Sequence, residues 1–351
     1  MLTTLAAAAA PQRTLTPGEA LLPEEGSTVR LGPDEAAYVL HIPKTAVTSF
    51  LHDCQANVEG CHVEGEAYWS LQVQLPSLNT TSMVQIINSE GCFAHGEELG
   101  RPVATFIREP RAHVVSQYYH CRLSPDHEYA RSLMPHTIDE WVGAWAQGRP
   151  QDKAAFATAP ACVKAGVAVP YCCYIPWDLQ TQRLTCERAN DNFTWTNDAR
   201  VEDKKTWPKY AVLRPKRMER QMNLTFALEN ARKAHFVGIV EAYQESVCLF
   251  AARTSGVQSL PAFCDCENDE AWRQFHSVED AHGDYETPSP DSLPLEVLER
   301  IDEMTTIDRA LYAAMVRRFL DEVRSVEQVS GRLIVCEGTR SRLLNAVRAK
   351  S

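Results

Sequence analysis

No stretch of this chain is both long and apolar enough to cross a membrane. The alanine-rich run at residues 5–10 is too short and too weakly apolar, and it lacks the basic flank of a signal peptide. No membrane anchor is visible in this chain. The spaced glycines and Gly-Lys-Ser/Thr ending of a Walker nucleotide loop are missing, as is any obvious magnesium carboxylate, which disfavours an ATP-dependent kinase. Bulk positive charge is missing too: 35 basic against 46 acidic residues leave a net charge of −11, which gives no reason to expect nucleic acid. Metal-ligand spacing is not found, because Cys264-x-Cys266 does not fit a zinc pattern. There is no internal repeat.

What is present points elsewhere. With 351 residues and 44% hydrophobic content, the chain can bury a full core. Its 12 cysteines are many for a reduced compartment, and the number is even. Cys54 with Cys61, Cys264 with Cys266, and the group Cys162, Cys172, Cys173 and Cys186 are candidate bridge members whose connectivity the sequence leaves open. Asn79-Thr80-Thr81, Asn192-Phe193-Thr194 and Asn223-Leu224-Thr225 are N-glycosylation acceptors by pattern. Together these favour the secretory pathway. Residues 1–36 mix alanine, proline, glycine and acid, as a tail or linker would. Residues 37–325 read as one domain, and residues 326–351 as a mildly basic tail that can be helical.

The most informative stretch runs from Tyr38 to Phe50. An apolar run reading as a buried strand ends in Pro43-Lys44-Thr45, and Ala46-Val47-Thr48-Ser49 opens a helix. That order sets backbone N–H groups, one ammonium and several hydroxyls at a helix N-terminus, where an anion is stabilised. The plainer reading is a strand–turn–helix corner with a solvated lysine. A second corner follows. Val103-Ala104-Thr105-Phe106-Ile107 has the β-branched character of a core strand, Arg108-Glu109-Pro110 ends it, and residues 111–123 place Val114, Val115, Tyr118 and Tyr119 on one helical face. Arg108 suits a phosphate because its planar fork donates bidentately and keeps its charge, and Ser116 lies on the first turns of the helix. The plainer reading here is a local ion pair capping a helix.

These two corners, in this order, resemble the 5′-phosphosulfate loop and the 3′-phosphate segment of Golgi-type carbohydrate sulfotransferases, which use PAPS (3′-phosphoadenosine 5′-phosphosulfate). They are similar to the corresponding segments of heparan and uronyl 2-O- and 6-O-sulfotransferases. The resemblance implies an α/β, three-layer P-loop-like sulfotransferase fold with a central, mainly parallel sheet. It implies that Lys44, Thr45, Ala46, Val47, Thr48 and Ser49 hold the 5′ end of PAPS, and that Arg108 and Ser116 hold its 3′-phosphate. His95, in Gly91-Cys92-Phe93-Ala94-His95-Gly96, matches the histidine that acts as base in a loop before the Arg-Asp-Pro strand, with Glu97 or Glu98 as a partner for its ring. Downstream, Phe236-Val237-Gly238-Ile239-Val240-Glu241 is similar to the element that completes the family's sheet. Leu179-Gln180-Thr181-Gln182-Arg183-Leu184 is similar to a helix near the acceptor, with Gln182 in place of the family's arginine, and Asp308 with Leu311-Tyr312 echoes a closing motif. Apolar residues recurring over 293–323 predict one long amphipathic helix, and residues 281–294 a loop.

The implied reaction moves the sulfuryl group of PAPS to a carbohydrate hydroxyl in the Golgi lumen. His95 removes the proton while Lys44 stabilises the leaving phosphate. A sulfuryl group carries less charge than a triphosphate, so Lys44 and the helix terminus suffice without a metal. The basic run Arg200, Lys204, Lys205, Lys209, Arg214, Lys216, Arg217 and Arg220 is either a guide for an anionic polysaccharide or a solvated face. A catalytically silent relative that binds PAP or glycans is the alternative. It is motivated by Gln182 and by Val47, whose β-branch tolerates positive φ badly at a position where the resembled loop has glycine. The acceptor sugar and the oligomeric state are not encoded in any motif.

Overall fold

A computed structural model describes residues 36–66, 84–89, 92–98, 100–124, 134–147, 163–164, 167–168, 174, 176–186, 223–275, 277 and 287–348. The basic run, the acceptor triplets at Asn79 and Asn192, and Cys162, Cys172 and Cys173 lie outside them. So do residues 1–35 and part of the 281–294 loop.

The chain folds as α/β, mostly helical, around an open parallel sheet. β1 (Ala36–Leu40) leads into α1 (Val47–Asn57), and β2 (Cys61–Glu66) and β3 (Val84–Ser89) follow. A short α2 (Phe93–Glu98), β4 (Val103–Ile107), α3 (Pro110–Leu123) and α4 (Ile138–Gln147) come next. β5 (Val163–Lys164) and β6 (Val167–Ala168) make a separate antiparallel ribbon. Beyond it lie α5 (Leu179–Thr185), α6 (Leu224–Lys233), β7 (Phe236–Ile239) and α7 (Tyr243–Thr254). The rest is helical: α8 (Asp269–Trp272), α9 (Leu295–Met304), α10 (Thr306–Ser330) and α11 (Glu337–Arg348).

The 5-stranded sheet has the order β2-β3-β1-β4-β7, with every pairing parallel. A parallel strand covered on both faces reads as a continuous apolar run, and the described residues of β1 and all of β4 are buried. The connection leaving β1 heads for the β2 edge, whereas the one leaving β4 leads on toward β7. The winding therefore reverses at the β1/β4 seam, where open α/β sheets present a crevice beyond the strand C-termini. α1 packs on β2, α2 on β1 and β4, and α7 and α10 on β7.

Two glycines allow close approach. A Cβ at Gly238 would lie 2.4 Å from the Phe106 ring, which packs with Phe50 and Phe236 at centroid distances of 4.8 and 5.4 Å. A Cβ at Gly96 would meet Val103 at 2.4 Å and Tyr38 at 2.7 Å, so α2 lies directly against the sheet. A second apolar cluster, built on Val115, Tyr118, Trp141, Trp145 and Ile301, joins α3, α4 and α9.

Three sequence expectations change. The long helix over 293–323 is two helices, because Thr305 leaves helical dihedrals (φ −119°, ψ 27°) and α10 starts afresh there. Asp178 makes that break favourable: its Oδ1 accepts from the backbone N–H groups of Ile307 and Asp308 at 2.9 and 2.8 Å. The C-terminal segment read as a tail is packed, with Ile334, Val335, Leu343 and Val347 in the main core. The connectivity left open by the sequence resolves in part: the pairs among the described residues are Cys54–Cys61, Cys92–Cys186, Cys248–Cys264 and Cys266–Cys336, so Cys264 and Cys266 belong to separate bridges. These bridges fit an oxidising secretory or extracellular environment. Among the described residues no helix is long and apolar enough to cross a membrane.

Candidate anion-binding site

The two corners singled out in the sequence meet. Beyond β1 the chain turns through Pro43-Lys44-Thr45-Ala46, with Lys44 and Ala46 at φ of 65° and 59°. The Thr45 hydroxyl and its N–H both bond to the Ile42 carbonyl, at 2.8 and 3.3 Å. That hydroxyl is buried and builds the turn. Val47 is the first helical residue, its side chain is in the core, and the positive φ falls on Ala46 before it. α1 carries no side-chain N-cap and no acid in its first turn, so the helix terminus is electropositive. Lys44, Thr48 and Ser49 are half-buried at this end.

Beyond β4, the Arg108 guanidinium reaches across the seam and its Nη1 donates to the Lys44 carbonyl at 3.1 Å. A second tie runs beside it. His113, on the first turns of α3, donates from Nε2 to the Pro43 carbonyl at 2.7 Å, while its Nδ1 accepts from the Gln117 amide at 3.2 Å. Burial holds this imidazole neutral, with its pKa lowered to about 3; the bond to Pro43 opposes the shift, and the charges of Arg108 and Lys44 add to it. Ser116, on the second turn of α3, is buried.

The backbone of the Arg108 corner is fully engaged. Gln180 of α5 accepts from the Arg108 N–H at 2.8 Å and donates to the Arg108 carbonyl at 3.0 Å. The Glu109 N–H donates to Glu241 at 2.9 Å, and Glu241 also accepts from the Tyr312 hydroxyl at 3.0 Å. Burial raises the Glu241 pKa, against the Glu109 N–H and the Arg108 charge. Glu109 itself caps α3, accepting from the Ala112 N–H at 2.8 Å. α5 in turn is capped by Asp308, which accepts from the Gln180 and Thr181 N–H groups at 3.1 and 2.7 Å. Asp178 and Asp308 thus cap each other's helices, and burial raises the pKa of both carboxyls.

His95 is helical rather than in a loop, in α2, and its side chain lies outside the described residues. The next residue, Gly96, sits at the level where β4 begins, while Arg108 follows where β4 ends. Glu97, one candidate partner for the ring, is ion-paired with Lys233 at 3.0 Å. Gln182 is fully buried, its amide donating to the Trp177 carbonyl at 3.4 Å. Sequence reasoning missed His113, Gln180, Glu241 and Asp178 as builders of this corner. His113 and Gln180 lay inside quoted motifs, but their partners are 70 and 72 residues away. Among the described residues no group of His, Cys, Asp and Glu is placed to hold a metal. Compared with protein-family models, curated proteins and solved structures, the chain finds no match.

Proposed function

We propose that this protein is a PAPS-dependent sulfotransferase acting on a carbohydrate hydroxyl, with a three-layer sulfotransferase-like fold and a place in the Golgi lumen. One observation carries the reading. The Arg108 guanidinium contacts the Lys44 carbonyl at 3.1 Å, so the two corners that carry the cationic side chains touch at the reversal point of the sheet. A donor with a phosphate at each end of an adenosine suits such a surface. The 5′-phosphosulfate sits at the uncapped N-terminus of α1, under Lys44, Thr48 and Ser49. The 3′-phosphate is held by Arg108 and Ser116.

In the reaction the acceptor oxygen forms a bond to sulfur as the bond from sulfur to the 5′-phosphate oxygen breaks. The acceptor proton passes to a base. Negative charge grows on the departing phosphate, where Lys44 and the α1 N–H groups stabilise it more in the transition state than in the ground state. His95 is the base assigned from sequence. His113 is unsuited to that task, because it is buried, neutral and committed to Pro43. An anionic polysaccharide is the acceptor class that the basic run over 200–220 suits.

The test is release of PAP from PAPS against a panel of desulfated glycosaminoglycans and other polysaccharides. Lys44→Ala is expected to lower turnover by about 100-fold or more, the scale of one lost charge-stabilising donor. His95→Ala is expected to lower turnover similarly while PAP still binds. The second reading, a silent protein that binds PAP or glycans without turnover, is motivated by Gln182, which stands in place of the resembled family's arginine and is fully buried. It predicts PAP binding with no release under any acceptor. A wild-type protein that does not bind PAP at all defeats both.

A further inference from the structure

Arg108 is the residue on which the two corners depend, and its backbone is gripped from outside its own corner. Gln180 meets both faces of the Arg108 residue, one amide atom accepting from its N–H and the other donating to its carbonyl. Only a primary amide of this length offers a donor and an acceptor side by side; a carboxylate lacks the donor and an aliphatic chain lacks both. Gln180 is fully buried, so water does not stand in for it.

The helix that carries Gln180 is short, a single element of 7 residues, and would be marginal alone. It is fastened at both ends. Asp308 of α10 caps its first N–H groups, including that of Gln180 itself. The residue after its last turn, Cys186, is bonded to Cys92 at the start of the segment that carries His95. Asn230 of α6 adds a bond to the Leu184 carbonyl at 2.7 Å. A helix so fixed transmits its position to whatever its side chains hold.

We propose that Gln180 is a positioning residue for Arg108, and that Asp308, by capping α5, positions Gln180. The pair sets where the Arg108 fork stands relative to the Lys44 loop. The proposal rests on the PAPS reading for its functional consequence, though not for its structural one. Gln180 is fully buried with both amide atoms committed to Arg108, so its loss should weaken donor binding without removing a group that acts on the transferred sulfur.

Two measurements on the full chain test this. Amide hydrogen exchange reads the clamp directly: Gln180→Leu should speed exchange at the Arg108 N–H tenfold or more and leave Tyr118, inside α3, unchanged. Calorimetry and kinetics read its consequence: the Kd for PAP and the KM for PAPS should rise about tenfold, the scale of two lost hydrogen bonds, with kcat within twofold. Asp308→Asn should move the same quantities in the same direction, by about threefold, and serves if the leucine variant does not fold. Arg108 protection and PAP affinity both within twofold of wild type would overturn the proposal. If the wild type binds no PAP, the sulfotransferase reading fails, and the clamp stands or falls on exchange at Arg108.

Discussion

β1 and β4 end side by side, and each feeds a helix through a short turn, yet the two turns solve the same problem in opposite ways. At the β4 corner the backbone N–H and carbonyl of Arg108 and the N–H of Glu109 are given partners from within the protein. Glu109 caps α3, Pro110 opens it, Gln180 holds Arg108, and Glu241 holds the Glu109 N–H. At the β1 corner the helix begins without a side-chain cap, and two non-glycine residues take left-handed dihedrals to turn the chain. The first arrangement is complete in the free protein. The second leaves an electropositive terminus that a bound anion completes. The α3 terminus is already occupied by the Glu109 carboxylate, so an anion at the β4 corner, on the proposed reading, would rely on the side chains of Arg108 and Ser116. On that reading the difference suits a donor whose reacting end needs the stronger field and whose distal phosphate needs only an anchor.

The comparison depends on the corners being joined, and His113 is the joint easiest to remove. His113→Ala deletes a buried ring and leaves the Pro43 carbonyl without its donor, at a cost of about 3 kcal/mol. The pH dependence identifies the cause. The folded pKa of His113 is about 3 against the ordinary 6.5, so below pH 6.5 the unfolded chain binds the extra proton and stability falls as pH drops. That loss approaches ~1.4 kcal/mol per pH unit per histidine. His235, lowered to about 4 chiefly by burial, contributes in the same direction in both proteins. Denaturant unfolding from pH 7 to pH 4.5 should show the gap between wild type and variant narrowing. A gap that stays constant would mean His113 is not held neutral against Pro43.

Glu109→Ala separates the corners by their caps. Removing this carboxylate should cost about 1 kcal/mol, the usual value of an N-cap. Its effect on anion binding is the sharper readout. Sulfate should raise the melting temperature of the wild type and of Glu109→Ala, and raise it less in Lys44→Ala. Sulfate protection undiminished in Lys44→Ala would move the anion site away from the β1 corner.

How these corners were legible in sequence, and how the ties between them were not, has a physical basis. Strands β1 and β4 showed as apolar and β-branched runs because a parallel strand buries both faces. The turn after each was marked by Pro43 and by Pro110, whose ring fixes φ. β7 was legible through the resemblance of residues 236–241 to the element that completes the family's sheet. A side chain that bonds to backbone 70 residues away leaves no periodic trace, so His113 looked like any histidine within a motif and Gln180 like any polar helix residue. The break at Thr305 was hidden because apolar positions keep their three-to-four spacing across it, while the group that ends the helix run, Asp178, is 129 residues from Ile307. α11 passed for a tail because only Leu343 and Val347 need burial once Cys336 tethers it. Disulfide partners depend on where helices land, so spacing marked Cys264 and Cys266 as bridge members but left their partners, Cys248 and Cys336, open.

The smallest expected effect asks whether the strain at the β1 corner belongs to the residue the structure names. Ala46 stands at φ 59° and ψ 16°, a left-handed conformation that costs an L-residue about 1–2 kcal/mol. Val47, whose β-branch suggested a distorted cradle, is helical and escapes that cost. Ala46→Gly removes the Cβ penalty and adds about 0.5–1 kcal/mol of unfolded-state entropy, leaving a net stabilisation below about 1 kcal/mol. The denaturation midpoint should rise slightly with no change in its slope, whereas Ala46→Val should lower it, because a β-branched residue fits left-handed space worst. If Ala46→Gly lowers the midpoint, the turn is not strained at Ala46. The contrast between a relaxed β4 corner and a tense β1 corner would then have to be drawn at Lys44 instead, where φ is 65°.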